Sequence, residues 1–213
     1  SPLILKLGVP TGIQMVTNSL AGLVIIGLVN GFGPQATAAY GAVNQVNNFV
    51  QFPAMSISIA ASIFAAQAIG SGQFQRLSKV TLTALSMNLY LTGSLIVLAY
   101  LFSDHLMALF ITDAAVVKLG GELLHIVLWS VLFFGAGGIF AGIMRASGTV
   151  LVPMLINMVA VLGIELPMAY WFSHIWGLHG IWMAYPLSFV CLCIMQGQYY
   201  HWVWKKKSIQ ALV

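Results

Sequence analysis

The stretch TAAYGAVNQVNNFVQFPAMSISIAASIFAAQAI, residues 37–69, decides how this chain is read, because it carries no charged side chain from end to end. As an α-helix it extends about 50 Å at about 1.5 Å per residue. The hydrocarbon core of a bilayer is about 30 Å thick. A helix of this length therefore has to tilt, kink or protrude, and Pro53 supplies a kink site. At about 100° per residue, Asn44, Asn47, Asn48, Gln51, Ser58 and Ser62 fall on one face, with Met55 among them and Gln45 beside it. A polar stripe on a membrane helix does not face lipid. It either walls a substrate cavity or holds helices together through amide hydrogen bonds. The crowding of amides between Asn44 and Gln51 favours the cavity.

The rest of the chain agrees with a membrane reading. Of 213 residues, 60% are hydrophobic and 6% charged, whereas soluble domains carry about 25% charged residues. Eight Lys/Arg and four Asp/Glu cannot coat a water-soluble particle of this size. That excludes a cytosolic enzyme, a disordered segment and a disulfide scaffold. The net charge of +4 is too small and scattered for nucleic acid. Cys191 and Cys193 stand two apart on a helix, point to opposite sides and read as apolar filler. The chain opens at Ser1 with no Met and no signal-peptide pattern, and is expected to be a piece of a longer protein.

Charges and loop residues cut the sequence into six expected spans, about 10–30, 37–69, 78–102, 116–144, 151–172 and 180–203. Helix is forced, since backbone groups in hydrocarbon must be satisfied within the segment. The fold class expected is therefore an all-α membrane protein, one six-transmembrane-helix lobe. With both ends in the cytoplasm, the inner side holds Lys6, Arg76, Lys79, Arg145, Lys205, Lys206 and Lys207, and the outer side only Lys118. That split satisfies the positive-inside rule. A multi-pass protein of the cell membrane follows as the expectation, with the lipid bilayer as its first partner.

The first span repeats the polar stripe more weakly, with Thr11, Gln14, Asn18 and Gly22 on one line and Pro10 as its expected first-turn residue. Glu165 is the one acid deep in a span. Ionised carboxylates are costly there and usually functional, so it is the candidate for ion coupling, against a structural reading in which it fixes a bend at Pro167. Gly135, Gly137, Gly138 and Gly142 are expected to give the fourth span a small-residue face for close packing. Arg145 is read as a helix-end or headgroup contact. The five His show no ligand spacing, so no metal site and no cofactor are expected. No nucleophile–base arrangement stands out, and the chain does not read as an enzyme.

Several segments, taken in order, resemble a known family. They are Leu5-Lys-Leu-Gly-Val-Pro10, Ala38-Ala-Tyr-Gly-Ala-Val-Asn44, Ala65-Ala-Gln-Ala-Ile-Gly-Ser-Gly72, Ile143-Met-Arg-Ala-Ser-Gly148 with Val152-Pro153, Glu165-Leu-Pro-Met-Ala-Tyr170 and Gly177-Leu-His-Gly-Ile-Trp-Met-Ala-Tyr-Pro186. Together they resemble the second half of a multidrug and toxic compound extrusion (MATE) transporter across nearly the whole chain. The resemblance implies half of a twelve-helix, two-lobe antiporter. Such a protein exports organic, often cationic, compounds against Na⁺ or H⁺ by rocking its lobes, in line with repeat-built transporters generally. Its partners would be small organic substrates and a missing N-terminal six-helix lobe. A subgroup of the family carries acids where this chain has Asn18 and Phe134, so the resemblance implies that the coupling ion is bound mainly in the missing half. The residues expected to meet substrate are Gln14, Asn18, Asn44, Asn48 and Gln51 through hydrogen bonds, and Met15, Phe52 and Met55 as pliable apolar contacts. The alternatives are a related flippase for lipid-linked or polyprenyl substrates, for which the spans hold few phosphate-binding cations, and a six-span subunit without transport.

Overall fold

The computed structural model describes residues 2–210. Six helices are long and apolar enough to cross a membrane: Pro2–Asn30, Pro34–Gly70, Arg76–Leu101, Ala114–Ala146, Leu151–Trp176 and Leu178–Lys206. A short helix, Ser103–Ala108, lies between the third and fourth. Most helices outrun the apolar stretches that announce them, because backbone hydrogen bonding continues after the hydrophobic run ends. The first shows this most. It begins at Pro2, so Pro10 lies inside the helix and not in its first turn. Pro10 has no N–H to give the Lys6 carbonyl one turn back, and the next carbonyl, that of Leu7, accepts from the Thr11 hydroxyl at 3.0 Å.

Short connections make the helices alternate in direction. Between the fifth and sixth, Gly177 turns the chain alone, at φ 64°, a left-handed conformation that favours glycine. One end of the bundle gathers Arg76, Lys79, Arg145 and Lys205–Lys207 and is tied by side chains. The hydroxyls of Thr81 and Tyr200 are 2.7 Å apart, and Trp204 Nε1 donates to Ser147 Oγ at 2.8 Å. At the opposite end His179 Nε2 lies 3.0 Å from Glu122 Oε2, a hydrogen-bonded contact between the sixth and fourth spans.

The second span packs most heavily on the fourth, and the sixth packs on the fourth and fifth. Val43, Leu124, Val127 and Trp182 are buried in the core on the Glu122 side. Ile57, Ala65, Ile139 and Ile143 are buried in the core on the basic side. Close packing at the fourth-span glycines is present, but they do not form one face. A Cβ on Gly138 would stand 2.8 Å from Ser58 Oγ, and one on Gly142 3.0 Å from the Ser58 carbonyl. Gly137 meets the backbone of Cys193 on the sixth span, and Gly135 meets Asn88 on the third. Four glycines within eight residues turn to three different neighbours, since helical positions two and three apart diverge around the axis.

Asn88 opens a π-helical turn, Asn88–Thr92, in the third span. It is 3% exposed. Its Nδ2 donates to the Leu132 carbonyl at 3.0 Å, and its Oδ1 accepts from Thr92 Oγ1 at 3.0 Å. Asn88→Ala leaves the Thr92 hydroxyl without its side-chain acceptor in the interior and should cost about 1–3 kcal/mol. Gly135→Ala drives a methyl into the amide and should cost about as much. In the double variant the second change should cost less than alone, because the obstructing amide is gone. Thermal unfolding of the intact detergent-solubilised protein reads this, and strict additivity would refute the contact.

Candidate substrate wall and buried carboxylate

The second span is a single helix of 37 residues with Pro53 inside it, and its polar stripe divides near that proline. Towards the amino end, Asn48 is exposed and Asn44 and Gln51 are half-buried, so other helices of the lobe do not enclose them. Phe52 and Met55 stand beside them, 60% and 48% exposed. The rings of Phe49 and Phe52 meet edge to face, with centroids 6.3 Å apart. Towards the carboxyl end, Ser58 and Ser62 lie against Gly138 and Gly142 of the fourth span, and the Ser58 hydroxyl is spent on the Ala54 carbonyl at 3.0 Å. Those two serines are packing groups, not wall. Asn47 also leaves the wall: it is 8% exposed, and its Oδ1 has no hydrogen-bond partner.

On the first span Gln14 is half-buried, Asn18 exposed and Met15 67% exposed. The first span rests mainly on the fifth, and Asn18 borders a cavity of about 160 Å³ between the first, fourth, fifth and sixth spans. Phe134, Asn157, Glu165, Tyr185 and Ser188 line the same cavity, and no basic side chain does. The two positions read as lacking an acid, Asn18 and Phe134, therefore share one chamber with the acid that the fifth span does carry.

Glu165 ends a π-helical segment, Val159–Glu165, two residues ahead of Pro167. Such wide turns occur mostly as single interruptions of α-helices and often at functional sites. Glu165 is 7% exposed. Ser188 Oγ lies 3.2 Å from the Ala160 carbonyl and 3.4 Å from Glu165 Oε2, so its one proton can serve either. Asn157, 8% exposed, has an Oδ1 with no partner. Rings enclose the apolar side: Phe134 packs on Phe189 at 5.2 Å, and Phe189 on Tyr185 at 6.1 Å. One carboxylate among neutral oxygens, with no cation beside it, can accept a proton or a monovalent cation.

Asn157, Tyr185 and Ser188 escape a reading of the sequence. Asn157 stands eight residues from Glu165 on the fifth span, and Tyr185 and Ser188 make only one pair on the sixth, so no stripe marks them. The run Val159–Glu165 carries nothing that announces a π-helix, and a wheel drawn at a constant angle misplaces Glu165 relative to Asn157.

The MatE family model matches residues 10–171, and the chain belongs to that family. It is 45% identical over 213 residues to the probable multidrug resistance protein YoeA of Bacillus subtilis, a match covering 99% of this chain and 46% of that one. Multidrug and toxin extrusion protein 1 of Homo sapiens is 27% identical over 160 residues, which are 73% of this chain and 28% of its own. The fold superposes on a mutant of the Vibrio cholerae MATE transporter VcmN with a TM-score of 0.90 at 16% identity, covering 97% of this chain and 47% of that one. A MOP superfamily transporter from Pyrococcus furiosus gives 0.86 at 21% identity, with 98% of this chain and 46% of that one covered. The chain thus spans about half the length of the relatives it matches, and the all-α six-span lobe is half of a MATE fold.

Proposed function

We propose that this chain is the C-terminal lobe of a secondary transporter that exports organic, often cationic, compounds in exchange for Na⁺ or H⁺. The observation that carries this reading is the open amide wall on the second span. A MatE chain that leaves Asn44, Asn48 and Gln51 unenclosed by its own lobe offers them to a gap shared with a second six-helix lobe. There they hydrogen-bond to a solute, with Phe52, Met55 and Met15 closing on its apolar parts, while Gln14 and Asn18 extend the wall along the first span. Asn48→Ala and Gln51→Ala in the intact protein each remove about one hydrogen bond. Each should raise the half-saturating substrate concentration about fivefold in vesicle efflux. Unchanged efflux of every substrate tried, at normal expression, overturns the wall assignment.

Glu165 in its chamber is the coupling group that this lobe contributes. Transport follows when ion and solute favour different arrangements of the two lobes. The protein is a multi-pass protein of the cell membrane with both ends of this segment cytoplasmic, a reading supported by the seven basic residues gathered at one end.

A further inference from the structure

A groove of about 620 Å³ runs between the second and third spans. Ile57, Ala60, Phe64, Val80 and Met87 make its apolar walls, and Arg76 and Lys79 stand at its mouth. Beyond Thr83 and Met87, which both share, a second groove continues along the third span past Leu82, Tyr90 and Leu91 to Ser94. From Arg76 to Ser94 is about 27 Å along a helix. A lipid chain needs about 15 Å to pass from headgroup to bilayer centre, so the trough is long enough to seat one.

The charge at the mouth is unopposed. Arg76 and Lys79 are exposed and sit three apart, so they share a face. Neither has an ion-pair partner among the described residues. Of the four acids in the sequence, Asp104, Asp113 and Glu122 belong to the opposite end of the bundle and Glu165 is enclosed. The trough is also separate from the amide wall: Ala60 follows Gln51 by nine residues, about half a turn around the second span.

We propose that this trough binds an anionic phospholipid of the cytoplasmic leaflet, its phosphate between Arg76 and Lys79 and one acyl chain along Phe64, Val80 and Met87. An apolar channel with two free cations at its headgroup end suits a lipid that carries net negative charge and selects against a zwitterionic one. Basic pockets between transmembrane helices on this side of a membrane bind acidic headgroups in the same way. The leaflet rests on the orientation proposed above, while the site itself does not depend on the transport reading.

Native mass spectrometry of the intact, delipidated protein titrated with phosphatidylglycerol or phosphatidylcholine tests it. The unaltered protein should bind phosphatidylglycerol at least tenfold more tightly. Arg76→Gln with Lys79→Gln should abolish that preference and leave phosphatidylcholine binding unchanged, a loss of about tenfold to thirtyfold for two surface cations. The swapped pair Arg76→Lys with Lys79→Arg should keep the preference. Ala60→Trp, which fills the trough and leaves both charges, should weaken both lipids. Equal binding of the two lipids by the unaltered protein overturns the proposal. So does a preference that survives the double Gln variant, or a Trp variant that binds as before.

Discussion

Glu165→Gln is expected to stop ion-driven efflux by the intact protein, with a fall of at least tenfold, while the protein still folds and still binds drug. Gln has nearly the size of Glu and can still accept from Ser188 Oγ, 3.4 Å away in the native lobe. What it cannot do is carry a charge to balance a cation, or give and take a proton. No basic side chain lines the cavity, so the carboxylate answers to no fixed partner, and an intramembrane acid of that kind is a functional group by default. Glu165→Asp keeps the charge but shortens the reach, and should retain part of the activity. The measurement is uptake into inverted vesicles under an imposed Na⁺ or pH gradient, with drug binding measured in parallel. Full gradient-driven uptake by the Gln variant would leave the acid with a structural role only.

Gly180→Ala is expected to lose most of the folded protein. A Cβ at this position would fall within van der Waals overlap of the Phe172 carbonyl oxygen. That atom is backbone, held in the fifth span, and no rotamer change can move it. Gly180 is also pinned from its own side, since its N–H donates to the Gly177 carbonyl at 3.1 Å. Overpacking usually costs about 1–3 kcal/mol and more where neither side yields, a large share of the stability of a typical domain. Gly12→Ala makes the control, because a Cβ there meets nothing within 4 Å. Size-exclusion elution and thermal unfolding in detergent read the difference. A Gly180→Ala protein that elutes and melts like the unaltered one would refute the clash.

Membrane helices are legible in this sequence because lipid permits few alternatives. Length and the absence of charge alone place the second span, whatever its neighbours do. Contacts between helices are less legible. The glycines of the fourth span announce close approach, but which neighbour meets Gly135 or Gly138 depends on how six cylinders are arranged. The site divides the same way. Asn44, Asn48 and Gln51 show themselves because several amides on one helix make a pattern. The chamber around Glu165 does not, because its polar groups come one or two at a time from three helices and meet only in the fold. Asn18 and Phe134 stand out as missing acids through the family resemblance. That Glu165 enters the chamber they border is a fact of packing.

The seating of Ser58 and Ser62 on Gly138 and Gly142 has a mechanical consequence. It fastens the second helix beyond Pro53 to the fourth with almost no slack, so that segment and the fourth helix move together, and any bending of the second helix is confined to the amide-bearing half ahead of the proline.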